Sequence, residues 1–330
     1  MAWYRRRSVL VGMGAAVAVA LVVAGIFVFR VKAPARPAPV TTISPVAGQL
    51  YSPFTGEPVT SLGPVLAVKI DNIVTARPQT GLGRADIVYV LPVEGGLIRF
   101  MAIFSSQFPP VIGPVRSARE DDVPLLRQFG HPAFAYSGAQ PHLLPVVERA
   151  PIVDLYDGLV GGYYRDNNRV APYNLYARTS QLLAEAHGTS RAHDIGFRFG
   201  PAPSGGMPTA AMTVPYPAAS FTFRWSAALR RWQVWMDGVP AMTTDGGQLS
   251  TPTVVVQYTT VGVSHFPEWG GPAPFAYSTG SGRAVVLRDG KAWQVHWSRP
   301  GATAGTTFTT QSGKRMTFER GPVWVLLAAR

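Results

Sequence analysis

At 330 residues, with 47% hydrophobic and only 15% charged residues, the chain can fill two ordinary domains with cores, and wholesale disorder is excluded. Its 34 Gly and 30 Pro follow no collagen or linker period and therefore mark many turns between short strands. The net charge of +12 is uneven, with six Arg/Lys and no acid in 1–36, 13 of each sign in 37–214 and 11 basic against 5 acidic in 215–330, and the absence of cysteine rules out disulfides, thiolate metal sites, a cysteine nucleophile and an acylated cysteine.

Arg5, Arg6 and Arg7 precede an apolar run over 9–29, which Arg30, Lys32 and Arg36 close. A run of that length spans a bilayer, and a signal-peptide core is shorter, so 1–36 reads as an uncleaved single-pass anchor with the folded part outside the cytoplasm. The alternative is secretion after cleavage, with Ala33-Pro34-Ala35 as a small-residue cleavage site and Arg6-Arg7 as a twin-arginine signal. Residues 37–50, rich in Pro and Ala, form a stiff spacer. Besides the membrane, the basic C-terminal part points to an anionic cell-wall polymer or glycan as partner, with plain solubility as the bland reading and nucleic acid excluded by the compartment.

The spacer leads to a mixed α/β domain over 51–200. Strands are expected at 65–71, 86–93, 99–104 and 134–136, with Glu94-Gly95-Gly96 closing a hairpin between the second and third. Helices are expected over 117–129, despite Pro124, and over 179–186, stopped by Gly188. Residues 201–217 lack periodicity and read as a linker. The texture then becomes all-β over 218–330, with runs at 221–225, 231–236, 253–258, 283–288, 291–297, 315–318 and 323–327, and hairpin turns at Asp289-Gly290 and Ser312-Gly313. The predicted class is α+β: a mixed domain followed by an antiparallel sandwich or barrel, behind the transmembrane segment.

Charged residues cluster in Gly/Pro-rich motifs at strand ends. Glu94, beside two glycines, is a candidate general acid or ligand anchor, or else a partner of Arg99 or Arg116. Arg116 and Arg119, three apart at an expected helix start, could clamp a phosphate or carboxylate, or cap the helix and pair with Asp121 or Asp122. Arg165, Asp166 and Arg169 come from a loop, where fixed charge favours function. With Arg99, Arg116, Arg119, Ser117, Tyr173 and Asn174 from the same motifs, they make the expected ligand-binding set. Cofactor and nucleophile-elbow motifs are missing, and the six histidines show no metal spacing, so neither cofactor nor metal is expected. For a two-carboxylate glycosidase the available partners of Glu94 are Asp71, Asp86 and Asp166. Seven of eight tryptophans lie after residue 217 and read as core, with Trp269 in its Gly-rich loop the exception.

Lys69-Ile70-Asp71-Asn72, Ala76-Arg77-Pro78-Gln79, Ala85-Asp86-Ile87-Val88-Tyr89, Glu94-Gly95-Gly96, 113–119 and 165–176, followed by Arg288-Asp289-Gly290-Lys291 and Gly321-Pro322-Val323-Trp324, resemble the bacterial YerB-type putative lipoprotein family over about 51–327. The resemblance implies two domains and an envelope location, and it brings no mechanism. Two departures stand out. This chain has no cysteine to acylate, and Tyr173 stands where the family pattern favours His. A phenol titrates near 10, so a neutral-pH imidazole role could not pass to Tyr173 unchanged.

Overall fold

The structure, a computed structural model, describes residues 48–268 and 271–330. Ile43–Arg330 form one compact unit with its own core. Among the described residues no helix is long and apolar enough to cross a membrane. The apolar run 9–29, the spacer as far as residue 47, and Trp269 lie outside them.

The chain is mostly β, and its main strands are β1 (Leu66–Asp71), β2 (Ile87–Pro92), β3 (Ile98–Phe104), β4 (Ala133–Tyr136), β5 (Val153–Tyr156), β6 (Ala219–Ser226), β7 (Arg231–Met236), β8 (Thr253–Thr259), β9 (Gly280–Arg288), β10 (Lys291–Arg299) and β11 (Val323–Ala329). One mixed sheet runs in the order β10-β9-β8-β11-β2-β3-β1-β4-β5, with the short strands Met207–Pro208 and Thr307–Thr310 on β10. β6 and β7 belong to a second, five-stranded sheet. Among the described residues helix is confined to short pieces, α1 (Asp122–Leu126), α2 (Leu144–Glu148) and α3 (Thr179–Glu185), and to 3-10 turns.

The expected separate sandwich or barrel is corrected by β11, which inserts between β8 and β2 and runs parallel to both, so the first and second halves share one sheet. Its sequence, Val-Trp-Val-Leu-Leu-Ala-Ala, is apolar at every position, as a strand buried on both faces must be. The expected linker 201–217 carries paired strands of its own: Met207–Pro208 pairs with β10 and Ala211–Tyr216 with β6. The expected helix over 117–129 shrinks to α1 and one 3-10 turn, because 113–119 is held extended: Val115 bridges Ile70, and the Arg116 N–H donates to the Lys69 carbonyl. The 315–318 run forms no strand.

Alternation along the strands splits the core between the two faces of the sheet. Phe100, Ala102 and Phe104 face one cluster, closed by Phe221, Phe223, Trp232 and Val234 of the second sheet. Met101 and Ile103 face the other, closed by Leu125, Leu126 and Phe129 around α1 and by Phe308 and Phe318. Trp324 of β11 meets the rings of Phe100, Phe221 and Phe223 edge-on or tilted at 5.7, 6.3 and 6.0 Å, so a single indole joins both halves. Trp324→Ala is expected to lower stability by about 3–5 kcal/mol. Urea unfolding followed by far-UV circular dichroism checks this, and one shared transition, rather than two, is the expected shape.

Candidate functional site

β1, β2, β4, β5, β8 and β11 point the same way, and the charged motifs collect beyond their C-terminal ends. Asp71 ends β1, Glu94 follows β2, and Arg99, at the start of the antiparallel β3, lies directly opposite Asp71. The Glu94 turn closes the expected hairpin with Gly95 and Gly96 at φ +68° and +71°, a conformation that favours glycine.

Glu94 is held by two arginines. Its Oε1 accepts from Arg99 Nη2 at 3.0 Å and from Arg119 Nη2, and its Oε2 accepts from Arg119 Nε at 2.8 Å, a bidentate fork. Arg119 Nη1 lies 3.2 Å from Glu268 Oε1, so one guanidinium bridges two carboxyls. Arg99 Nη1 donates to the Ser117 carbonyl at 3.1 Å, which brings Ser117 in through its backbone. Beneath them Lys69 and Asp122 form a buried pair at 2.5 Å, and the second oxygen of Asp122 accepts the Arg119 backbone N–H at 2.7 Å.

Arg116 and Arg119 do not form a clamp. On an extended segment they diverge, Arg119 toward Glu94 and Arg116 toward Asp71, whose Oδ2 accepts from its Nε at 2.9 Å. Asp71 Oδ1 accepts from the backbone of Asn72 at 2.8 Å and of Ile73 at 3.3 Å. Arg116 stands 5.7 Å from the Tyr173 ring centre and is 24% exposed, and its Nη1 and Nη2 donate to no other described residue.

The carboxyls are not equivalent. Burial raises Glu94, but the Arg119 hydrogen bonds and the charges of Arg99 and Arg119 outweigh it and bring its pKa to about 2. A carboxylate so held has no proton to give near neutrality, and the expectation of Glu94 as a general acid loses its basis. Glu268 moves the opposite way: burial raises its pKa and the Glu94 charge adds to that, against the pull of Arg119, Arg99 and Arg116. Burial also raises Asp86, to about 6, but Asp86 lies at the other end of β2, where it accepts from the backbone of Ser105 and Ser106 at 2.6 and 2.9 Å. At about 3.3 Å per residue it is roughly 25 Å from Glu94, which removes it as a glycosidase partner.

The 165–176 loop reaches the site through Tyr173. Arg165 donates to Asn174 Oδ1 at 2.9 Å, Asp166 Oδ1 accepts the Asn168 N–H at 2.9 Å, and Arg169 donates to the carbonyls of Ala76 and Pro78 at 3.2 and 2.8 Å. Arg165, Asp166, Arg169 and Asn174 thus build the loop and fasten it to 76–78. Sequence reasoning missed Glu268, which no local pattern marks except its place beside the Gly270-Gly271 pair. Asp121, which the sequence offered only as a pairing partner of Arg116 or Arg119, is buried, accepts the Ala276 N–H at 3.2 Å, and is raised to about 7 by burial and by the neighbouring Asp122 charge. Among the described residues no cluster of His, Asp and Glu could hold a metal.

Two family descriptions match the chain: Protein of unknown function (DUF3048) N-terminal domain over 54–192, and the corresponding C-terminal domain over 212–325. "Putative lipoprotein YerB" of Bacillus subtilis (strain 168) is 46% identical over 99 residues, 29% of this chain and 29% of that protein. That alignment spans under a third of the relative's length. The crystal structure of YerB protein from Bacillus subtilis matches with a TM-score of 0.74 at 22% identity, covering 86% of this chain and 97% of that one, which shows a shared fold.

Because the folded pKa of Glu94 lies below its ordinary value of 4.5, its stabilisation is complete above about pH 4.5 and is lost as pH falls toward 2. The loss is on the order of 3 kcal/mol. Asp86 and Asp121, raised in the folded state, act in the opposite sense in wild type and variant alike. Glu94→Gln is therefore expected to be less stable at pH 7 and to lack this acid limb, as read from urea midpoints between pH 7 and pH 2.5.

Proposed function

We propose that this chain, which belongs to the two-domain DUF3048 family, is an envelope protein tethered outside the cytoplasm that binds an anionic or glycan ligand at Arg116. The envelope location is supported by the apolar run 9–29 with its flanking arginines, and by the similarity to "Putative lipoprotein YerB". In the absence of cysteine, the apolar run takes the place of a lipid anchor.

One observation carries the ligand reading. Arg99 and Arg119 are buried against Glu94, whereas Arg116 is anchored through its Nε alone and presents its outer nitrogens beside the Tyr173 ring. A guanidinium fixed on one side and open on the other suits a phosphate, carboxylate or sulfate, and an adjoining phenol ring suits the apolar face of a sugar. Asp71, gripped by two backbone N–H groups, fixes the orientation without help from the ligand. The deeper pairs make the floor of this site rigid.

Glu268 favours a second reading, a hydrolase or lyase acting on wall polymer. Its raised carboxyl is the proton donor best placed in the cluster, and ionised Glu94 on the same guanidinium is a partner of opposite character.

Both readings meet one experiment, in which residues 43–330 are applied to purified cell-wall polymer at low salt and scored for retention and for released fragments. Arg116→Ala is expected to lose retention by tenfold or more with its circular dichroism unchanged, while Arg198→Ala, which removes a surface pair with Asp194, retains it. Equal retention by both variants would defeat the Arg116 reading. Fragments released by wild type and not by Glu268→Gln would make the protein an enzyme.

A further inference from the structure

At the Asp86 end of β2, away from the Arg116 cluster, lies a polar cleft of about 360 Å³. Its wall carries Glu57, Arg84 and Asp86 from the first half of the chain and Arg231 and Asp245 from the second. A cleft of about 370 Å³ adjoins it, sharing Arg84, Gln107 and Asp245. These five charged groups differ from those around Glu94 in one respect: among the described residues, none of them forms an ion pair. Four are steadied by neutral neighbours instead. Asp86 is held by the Ser105 and Ser106 backbone and the Ser106 hydroxyl, and Asp245 Oδ1 accepts the Gly81 N–H at 3.2 Å. Arg84 Nη1 donates to Gln107 Oε1 at 3.0 Å, and Arg231 donates through Nε and Nη2 to the Ser250 hydroxyl and carbonyl, each at 3.2 Å. The Glu57 carboxylate accepts no hydrogen bond from a described residue other than any in the adjoining solvent-facing wall, and its charge acts on both Asp86 and Arg231. Burial raises Asp86 and lowers Arg231, so these three groups lie near one another and partly shielded from water.

The make-up of the wall selects a ligand. A lone anion would meet three carboxyls and a lone cation two guanidiniums, and no aromatic ring lines the 360 Å³ cleft to stack a sugar or a base. We infer that this cleft binds a short zwitterionic peptide, its ammonium held by Glu57 and its carboxylate by Arg84 and Arg231. The side-chain amide of Gln107 and the hydroxyl of Ser250, in the same wall, are neutral partners for the peptide groups between the two ends. The volume is that of a small-ligand site. This site is separate from Arg116, and the inference does not rest on that reading.

Titration calorimetry of residues 43–330 with triglycine, N-acetyltriglycine and triglycinamide tests this. Triglycine is expected to bind tighter than either blocked form by about tenfold or more, since each blocked form loses a charge-assisted contact. Glu57→Gln is expected to lose the preference over N-acetyltriglycine, and Arg84→Gln the preference over triglycinamide. Neither residue has an ion-pair partner to strand, so the circular dichroism of both variants is expected to match wild type. Arg116→Ala is expected to bind triglycine as wild type does. No binding of triglycine, equal affinity for the three peptides, or preferences that survive both substitutions would each overturn the inference. Loss of triglycine binding in Arg116→Ala would overturn it as well, by placing the peptide at the other site.

Discussion

A cation taken out of water must be met at once by carboxylates or carbonyls, and Lys69, Arg99, Arg119, Arg288 and Arg299 are each at most 5% exposed. The way each is met also ties the chain together. Arg299, at the end of β10, donates to the carbonyls of Pro124, Ala302 and Ala304 at 2.7, 2.6 and 3.0 Å and to Ser278 Oγ at 2.8 Å, fastening the second half to α1 of the first. Arg288 gathers Asp289, Glu319 and the carbonyls of Gly200 and Thr317. Lys69 holds Asp122, which in turn receives the Arg119 backbone and sets the angle at which that side chain meets Glu94. The candidate site is therefore the exposed end of a charge network whose buried part belongs to the fold.

That dependence explains how far the sequence could be read. Local signals were legible: Asp289-Gly290 turns the β9–β10 hairpin with φ of +49° and +69°, as a two-residue type I′ connection requires. The Glu94 hairpin pairs Pro92 with Ile98 as its glycines implied. What could not be read was non-local. β11 is separated from its parallel partner β2 by most of the chain, and an apolar run does not announce the direction of its neighbours. The segment 117–121 carries helix-compatible residues, yet 113–116 is held against β1 and the chain turns only at 120–121, just before α1.

At the site the same boundary holds. A carboxylate beside paired glycines and the strand-end arginines stood out in the sequence, and the structure brings Glu94, Arg99, Arg116 and Arg119 into one cluster. Which arginine serves which acid was not legible, because it depends on the path of 113–119. Arg165, Arg169 and Asn174 are loop charges that look functional in sequence, but their bonds are to their own loop and to 76–78. Glu268 arrives from the far half of the chain, and only the folded sheet brings it to Arg119.

The division of labour among these groups limits the chemistry open to them. Glu94 accepts from two guanidiniums, so moving or protonating it would strand two buried cations, and it serves as a fixed counter-charge. Arg99 remains a cation even with its pKa drawn down to about 10 by burial and the nearby Arg119 charge. The groups left to respond are Arg116, open on its outer side, and Glu268, attached to the cluster by one guanidinium nitrogen and resisting ionisation. An anion bound at Arg116 as proposed would offset the Arg116 charge that now lowers the Glu268 carboxyl, and would raise that carboxyl further. On the proposed reading, ligand binding at Arg116 would be coupled to proton uptake at Glu268, whose carboxyl feels the charges of Arg119, Arg99 and Arg116.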